Sequence, residues 1–513
     1  MNNNDTRIKN SVKNSLIGLI GQIIGLILNF VSRTIFINIL GMDYLGISGL
    51  FTNVLSVLSL AELGFNSAIT YSMYKPLADK NEDTITALMS LYKKTYNIIG
   101  VIVAVIGVMI IPFLDIIAKG ANNVENIILI YILFLLNSVI SYFFSYKAAI
   151  ITADQKNYIV IINQYIFQII RIIIQTITLI LTHSYILYLI IQVSSIFIEN
   201  LFISKKSDKL YPYLKKNKTK ILDIKIKSKI IKNVKAMICH KIGSVAVIGT
   251  DNILISAFIG VYWVGIYSNY LLIITAIKNI VNQIFTAITA SIGNLNAIET
   301  REKQQEVFNN VLFMNFIVYG NCSIILMILI NPFIKIWIGN EFVMNYYIVF
   351  VIIVNFYITG MRKTTLTFKD AYGLFWNDRF KPLFEAVINL IVSIIMLKIF
   401  GIIGVFIGTL ASTILTGFWI EPYIVYKYGF KASVNKYFEK YLRYGGVTII
   451  TGIISNYLTN WINTNNILCI FIKGIFLAFI INSIFILCFI NSNELKYFIR
   501  LISKMLSIKP KQI

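Results

Sequence analysis

Long runs of apolar residues, separated by short polar segments, fill the chain from residue 15 to residue 489. A helix that crosses a lipid bilayer needs about 20 mostly apolar residues. Fourteen runs fit this requirement, but three of them are short, so counts from twelve to fourteen remain open. The predicted spans are 15–40, 44–73, 95–117, 125–146, 158–181, 185–204, 236–259, 264–292, 308–330, 346–361, 382–397, 402–425, 444–459 and 467–489.

The composition also indicates a membrane-embedded chain. Of 513 residues, 57% are hydrophobic and only 13% are charged, and the mean hydropathy is +0.75. Soluble domains carry roughly 25% charged residues. The predicted fold class is therefore an all-α polytopic membrane protein.

The distribution of positive charge gives the orientation of the spans. If the N-terminus is cytoplasmic, 38 of the 46 lysines and arginines fall in inner segments, three in outer loops and five within spans. Cytoplasmic loops are enriched in these residues. We therefore expect both termini to be cytoplasmic. The net charge of +23 is assigned to this topology and to anionic lipid, especially at 205–235, and not to nucleic acid.

An internal repeat divides the chain. The motif G-x4-G-I occurs in ILGMDYLGI at 39–47 and in FIGVYWVGI at 258–266, and Lys147 in SYKAAI matches Lys369 in TFKDAY at a similar offset. Chance similarity is the alternative. A true repeat predicts two six-span lobes in the same orientation, related by a pseudo-two-fold axis along the membrane normal. The predicted segments are an N-lobe at 1–204, a basic linker at 205–235, a C-lobe at 236–425, a cytoplasmic loop at 426–443, two further spans at 444–490 and a cytoplasmic tail at 491–513.

Charged side chains inside the spans are the candidate functional residues. Charges at membrane depth are costly and need a partner or water. Glu199 and Glu421 lie close to span ends, where we expect them to reach the headgroups. The deeper charges are Arg33, Arg171, Lys278, Glu62 and Asp251, with Lys241 at intermediate depth.

Two interpretations of the deep charges remain open. They form internal ion pairs, such as Arg33 with Glu62 or Lys241 with Asp251, or they line a wet cationic cavity. In the second case the four cations bind the substrate, while the two carboxylates pair with cations or take a coupling H⁺ or Na⁺. Uncharged polar residues of the same spans are predicted to line the cavity or to join helices: Gln22, Asn29, Asn66 and Asn282.

Other kinds of chemistry find no support in the sequence. The 4 cysteines and 2 histidines have no metal-ligand spacing, and no phosphate-binding loop, zinc-protease motif or glycosidase carboxylate pair is recognisable. We expect no cofactor and no enzyme activity. A membrane polymerase or ligase is disfavoured because the outer loops are short.

Deep cations beside apolar helices suit an anionic headgroup on a hydrophobic tail, such as a sugar linked by pyrophosphate to a polyprenol. The stretch YLGISGLFTNVLSVLSLAELGFNSAITYSMYKPLA (44–78), followed by ALMSLYKKTYNIIG (87–100), resembles the Wzx-type polysaccharide repeat-unit flippases of the MOP exporter superfamily. The resemblance is local, over roughly residues 33–100, and the plan of two six-span lobes with two extra spans agrees over the whole chain.

The resemblance implies a flippase of the bacterial cytoplasmic membrane that moves undecaprenyl-pyrophosphate-linked oligosaccharide to the outer leaflet by alternating access, for capsule, exopolysaccharide or O-antigen assembly. It implies a cavity lined mainly by spans 1, 2, 7 and 8, which leaves Arg171 in span 5 as an exception. A polymerase and glycosyltransferases of the same pathway are the expected partners. The alternatives are a flippase for a peptidoglycan or teichoic-acid precursor and a multidrug or cation exporter of the same superfamily.

Overall fold

The computed structural model describes residues 3–62, 65–121, 123–154, 156–216, 249–374 and 377–506, and within these ranges the chain is helical without β-strands. The helices pack as two compact units, Met1–Ser268 and Asn269–Ile513. The all-α class predicted from the sequence is confirmed.

The N-terminal unit consists of long apolar helices joined by short turns. Glu82 and Asp83 lie in the first turn of its fourth helix, and the Asn81 side chain accepts a hydrogen bond from the Thr84 amide at 3.0 Å. Carboxylates at a helix N-terminus interact favourably with its dipole. The helices are α1 Asn3–Leu40, α2 Met42–Leu58, α3 Phe65–Ala78, α4 Glu82–Ile110, α5 Leu114–Ile117, α6 Ile127–Ala153, α7 Asn157–Thr182, α8 Tyr185–Leu210 and α9 Tyr213–Lys216.

The second predicted span is broken, which the apolar run at 44–73 did not indicate. Helix α2 ends at Leu58, a 3₁₀ turn occupies Ser59–Glu62, and α3 begins at Phe65. The Ser59 hydroxyl donates to the Ser56 carbonyl at 2.5 Å. Such local bonds from serine compete with regular helix. The break places Glu62 in irregular backbone between two helices.

The C-terminal unit also consists of long helices. Helix Arg301–Trp337 has 37 residues. At about 1.5 Å per residue it is longer than the roughly 30 Å hydrocarbon core, so its ends extend beyond the core. The helices are α10 Val261–Ile298, in which the boundary between the units falls, α11 Arg301–Trp337, α12 Tyr346–Ala371, α13 Lys381–Phe400, α14 Ile402–Leu415, α15 Gly417–Ile424, α16 Asn435–Thr459, α17 Ile467–Phe489 and α18 Asn493–Leu506.

Ten described helices are long and apolar enough to cross a membrane, and Ile24–Leu40 and Met42–Leu58 are shorter apolar helices. Of the other predicted spans, the thirteenth corresponds to the helix α16, and the seventh is described only from residue 249. Large apolar side chains on the outside of these helices, such as Met109 at 64% and Phe479 at 73% exposure, suit contact with lipid. The chain is a multi-pass membrane protein.

The compact units divide after Ser268, and most of the predicted linker at 205–235 lies outside the described residues, so the predicted lobe and linker bounds stay a prediction. The described part of span 7 packs with the N-terminal helices. The Ser256 hydroxyl donates to the Ile117 carbonyl at 2.6 Å, and the Val261 amide donates to the Lys119 carbonyl at 3.0 Å. Span 7 therefore belongs by its contacts to the first compact unit.

Candidate functional site

Arg33 lies near the C-terminal end of α1, half-buried, with its charge directed at the backbone. Its Nη1 donates to the Ser268 carbonyl oxygen at 2.8 Å. A carbonyl satisfies one of the five guanidinium donors and leaves the charge uncompensated. Among the described residues no carboxylate lies within ion-pair distance of Arg33, so its charge remains available to an anion.

The structure places Arg171 of α7 in the same neighbourhood as Arg33, around Tyr188 of α8. The Tyr188 side chain of α8 hydrogen-bonds Ser32 of α1, and its hydroxyl lies within electrostatic range of both Arg33 and Arg171. The Gln175 amide of α7 donates to the Tyr188 carbonyl at 2.9 Å. Two predicted cations, from spans 1 and 5, are thus both close enough to Tyr188 to interact with it electrostatically. Sequence reasoning missed this because hydrophobic periodicity does not show which helix faces pack together.

Glu62 is held by a tyrosine instead of a cation. The Tyr96 hydroxyl of α4 donates a hydrogen bond to Glu62 Oε1. The ring of Tyr96 lies 4.6 Å from that of Tyr92 and 6.0 Å from that of Tyr142, between ring centroids. The ion pair of Glu62 with Arg33, one of the two alternatives left open by the sequence, is not formed. The physical reason is the break after α2, which directs the Glu62 carboxylate toward α4.

Asp251 is buried in the described end of span 7, at 9% exposure, within electrostatic range of the Tyr267 hydroxyl. Lys241, the cation suggested for it, lies outside the described residues. The pairing of these two residues therefore stays a prediction.

The uncharged residues predicted to line the cavity differ in their surroundings. In α1, Gln22 is half-buried and Asn29 is exposed, and Asn282 of α10 is exposed. The Asn66 side chain lies outside the described part of the structure. Helix α7 packs close to α1, since a Cβ built on Gly25 would lie 3.4 Å from the Gln168 amide nitrogen. The small residues of span 1 thus allow close helix packing.

Lys278 belongs to the second unit and is half-buried on α10. Its ammonium lies 5.9 Å from the ring centroid of Phe356 in α12, at the outer limit of a cation–π contact. No carboxylate of the described chain lies within ion-pair distance of this ammonium. Like Arg33, Lys278 is a cation of a predicted span without an anionic partner among the described residues.

The two glycine motifs of the repeat contact each other within the first unit. A Cβ built on Gly46 would lie 2.0 Å from the Val261 carbonyl oxygen, and one on Gly265 would lie 2.4 Å from the Met42 carbonyl oxygen. The two contacts are equivalent in the repeat, because the offset of 219 residues relates Gly46 to Gly265 and Met42 to Val261. Only glycine permits this reciprocal approach of two backbones. The predicted orientation places it on the outer side of the membrane.

A buried network of four charges occupies the second unit. Arg362 of α12 donates to both Glu421 oxygens, at 3.0 and 2.7 Å, and to Glu385 at 3.0 Å. Lys381 of α13 contacts Glu385 and Glu421, each at 2.7 Å. Each cation therefore contacts both carboxylates, and the network is neutral as a whole.

The network corrects the expectation that Glu421 reaches the headgroups. Glu421 is fully buried, because the guanidinium and ammonium groups replace its water. Span 12 accommodates the guanidinium by a break at Thr416, where a Cβ on Gly417 would lie 2.5 Å from it. The sequence does carry a signal, the i,i+4 pair Lys381 and Glu385. The predicted spans 346–361 and 382–397 nevertheless exclude Arg362 and Lys381 by one residue each.

The second match of the repeat also involves charge. Lys147 forms an ion pair with Asp208, and Lys369 pairs with Asp378 at 2.5 Å. The two lysines are equivalent in the repeat, whereas their partners come from different segments. In the same unit, the Tyr211 hydroxyl donates to Asp154 at 2.8 Å, and burial together with that carboxylate raises the pKa of Tyr211 well above its usual value.

Within the described residues no group of three or more histidine, cysteine or acidic side chains is placed to hold a metal ion. In the first unit the structure presents the cations Arg33 and Arg171 and the carboxylates Glu62 and Asp251, and in the second unit it presents the cation Lys278. Cations of this kind can bind an anion, and carboxylates can exchange a proton.

Comparisons with known proteins agree on family and fold. The model of the family described as polysaccharide biosynthesis protein matches residues 11–292. The structure is similar to the lipid II flippase MurJ in an inward closed conformation, with 15% identity, 93% of this chain and 100% of that chain covered, and a TM-score of 0.64. No curated protein sequence gives a significant match.

Two further solved structures share the fold. An inward-facing multidrug resistance MATE family transporter of the MOP superfamily has 15% identity, coverage of 80% of this chain and 98% of that chain, and a TM-score of 0.61. A MOP superfamily transporter from Pyrococcus furiosus, described as having a binding pocket of reversed polarity, has 16% identity, coverage of 83% and 97%, and a TM-score of 0.55.

Proposed function

Because the chain belongs to the polysaccharide biosynthesis protein family, we propose that it is a flippase for undecaprenyl-pyrophosphate-linked oligosaccharide repeat units. It moves them from the cytoplasmic to the outer leaflet of a bacterial cytoplasmic membrane by alternating access. The observation that carries the proposal is the pair Arg33 and Lys278. Both are cations at membrane depth, and in the described structure neither has a carboxylate partner.

The chemistry of the substrate explains such cations. A pyrophosphate needs several donors and positive charge where water is scarce, and arginine binds phosphate oxygens in a fork. Arg33 is the principal phosphate ligand in this proposal, with Arg171 beside it at Tyr188. Lys278 contributes charge to the pyrophosphate or to an acidic sugar, and Lys241 is assigned to the same set from the sequence. Gln22, Asn29, Asn66 and Asn282 are proposed as polar lining.

Movement against a gradient needs a coupling ion. Asp251 is the proposed carrier of a coupling H⁺ or Na⁺, since it is a buried carboxylate on span 7. Glu62 holds its carboxylate on Tyr96 and is proposed to position the broken span 2. No other cofactor is proposed. A polymerase and glycosyltransferases of the same pathway are the proposed protein partners, and the basic segment 205–235 is proposed to contact the anionic inner leaflet.

The test uses Arg33→Gln and Lys278→Met in cells that make the polysaccharide. We expect both variants to insert and accumulate but to lose export, with polyprenol-linked repeat units building up on the cytoplasmic side, as measured by mass spectrometry. Lys473→Met is the matched control. Lys473 is also a buried lysine of a span, but its ammonium reaches the Ile462 carbonyl at 3.4 Å near the span end.

Normal export by both variants would remove the two cations from the mechanism. Accumulation of a peptidoglycan or teichoic-acid precursor instead of a repeat unit would favour the second candidate, a flippase for another lipid-linked cell-wall precursor. Loss of drug resistance without either accumulation would favour a multidrug or cation exporter.

A further inference from the structure

The last described helix, α18, lies where a free cytoplasmic tail was expected. It begins at Asn493, directly after the final span α17 ends at Phe489. At 100° per residue its sequence NELKYFIRLISKML gathers Leu495, Phe498 and Ile499 on one face and places Lys496 and Arg500 on the other. Residues 493–506 therefore form an amphipathic helix that directly follows the last predicted span.

Specific contacts fix the start of this helix against the second unit. The Ser492 hydroxyl accepts from the Leu495 amide at 3.2 Å, and Lys440 forms an ion pair with Glu494 at 2.6 Å. Leu495 is buried, and the ring of Phe498 lies 6.2 Å from that of Phe313 in α11. The helix is thus held in place by its N-terminal turn.

Other described side chains of the helix are exposed. Ile499 is 57% exposed, and Lys496 and Arg500 beside it are exposed and form no ion pair in the described structure. A large aliphatic side chain next to free cations is poorly suited to bulk water. It suits the headgroup boundary of a bilayer, where the aliphatic group enters the acyl region and the cations contact phosphates.

We infer that α18 lies on the cytoplasmic leaflet and binds anionic phospholipid headgroups through Lys496 and Arg500, with Ile499 inserted beneath them. The charges complement an anionic surface. The position next to the end of α17 puts the helix at the depth of the headgroups. This surface would anchor the last two spans, which lie outside the two predicted six-span lobes, and it is independent of the transported substrate.

The experiment places a fluorescent probe on the inferred membrane face. The full-length protein, with its native cysteines replaced by alanine, carries Ile499→Cys labelled with an environment-sensitive dye. It is reconstituted in vesicles of phosphatidylcholine alone or with one quarter phosphatidylglycerol. We expect a blue-shifted emission and a loss of quenching by aqueous acrylamide in the vesicles that contain phosphatidylglycerol.

The charge dependence gives the matched comparison. Lys496→Gln with Arg500→Gln should abolish the effect of phosphatidylglycerol. Lys427→Gln with Lys431→Gln removes two other exposed lysines of the same unit and should leave the effect intact. Equal quenching in the two lipids, or an equal loss with both pairs, would overturn the inference. All four residues are exposed, and size-exclusion elution of each variant verifies that it folds.

Discussion

At the scale of single residues, the carboxylates inside the protein have two kinds of partner, cations and a tyrosine hydroxyl. Glu421 and Glu385 are neutralised by Arg362 and Lys381, whereas the ligand of Glu62 in the described structure is the neutral Tyr96 hydroxyl. Buried ion pairs contribute little net stability, but removing one member leaves a costly unpaired charge. The two environments therefore predict different responses to neutralisation.

Lys381→Met should lower the free energy of unfolding by about 3–5 kcal/mol, because it leaves the remaining three charges with a net negative charge. Lys381→Met combined with Glu385→Gln leaves the bidentate Arg362–Glu421 pair and should recover most of the loss. Thermal unfolding of the purified protein measures both. Lys427→Met, an exposed lysine of the same unit, is the control. Equal destabilisation by the single and double variants would show that the network does not act as a unit.

Glu62→Gln and Arg33→Gln should have additive effects on protein level and thermal stability. They are bound to different groups, Tyr96 and the Ser268 carbonyl, and independent sites add. Rescue of Glu62→Gln by Arg33→Gln would instead mean that the two charges pair in another conformation. A double-mutant cycle on the purified protein gives the coupling energy directly.

At the scale of elements, breaks in spans and contacts between glycines define the interior. The break at Ser59–Glu62 positions Glu62, and the break at Thr416 admits Arg362 between α14 and α15. Irregular backbone at membrane depth is tolerated where protein covers it. The reciprocal contact of the two glycine motifs brings α2 and α10 together in the first unit.

Gly46→Ala should force the two motifs apart, because its methyl group would lie 2.0 Å from the Val261 backbone oxygen, which is closer than a Cβ can approach. Labelling of Ile266→Cys, a position 2% exposed beside Gly265, by an impermeant thiol reagent from outside should then increase. Gly49→Ala is the matched control, since its methyl would lie 3.4 Å from Val264 in ordinary contact. Unchanged labelling in Gly46→Ala would mean that this contact does not close the outer side.

At the scale of the whole molecule, family and fold agree with the resemblance read from residues 44–100. The family match at 11–292 shows a polysaccharide biosynthesis protein, and the fold is shared with transporter structures. The predicted apolar runs correspond to helices in the described chain, apart from the part of span 7 that lies outside it. The candidate site could be predicted only as a list of charges. Arg33 and Arg171 both interact electrostatically with Tyr188, because helices that are distant in sequence pack together.

The orientation of the molecule remains a prediction with a direct test. Cysteines placed singly in the segment 205–235 should be shielded from impermeant thiol reagents in intact cells, because that segment is predicted to be cytoplasmic. Lys119→Cys, in a predicted outer loop, should be labelled under the same conditions. Labelling of 205–235 from outside would reverse the assignment of the inner and outer loops.

The sequence by itself determined that the chain is a multi-pass helical membrane protein, where most of its helices run, and that two glycine motifs repeat. These features follow from local composition and from the cost of placing unsatisfied polar groups in lipid. Each helical segment satisfies its own backbone groups, so its location can be predicted without the rest of the fold. Only the tertiary structure decided that Glu62 binds Tyr96, that Gly46 and Gly265 meet, and that Arg362 and Lys381 neutralise Glu421. Partner choice depends on which helix faces pack against each other, and that is a property of the folded chain.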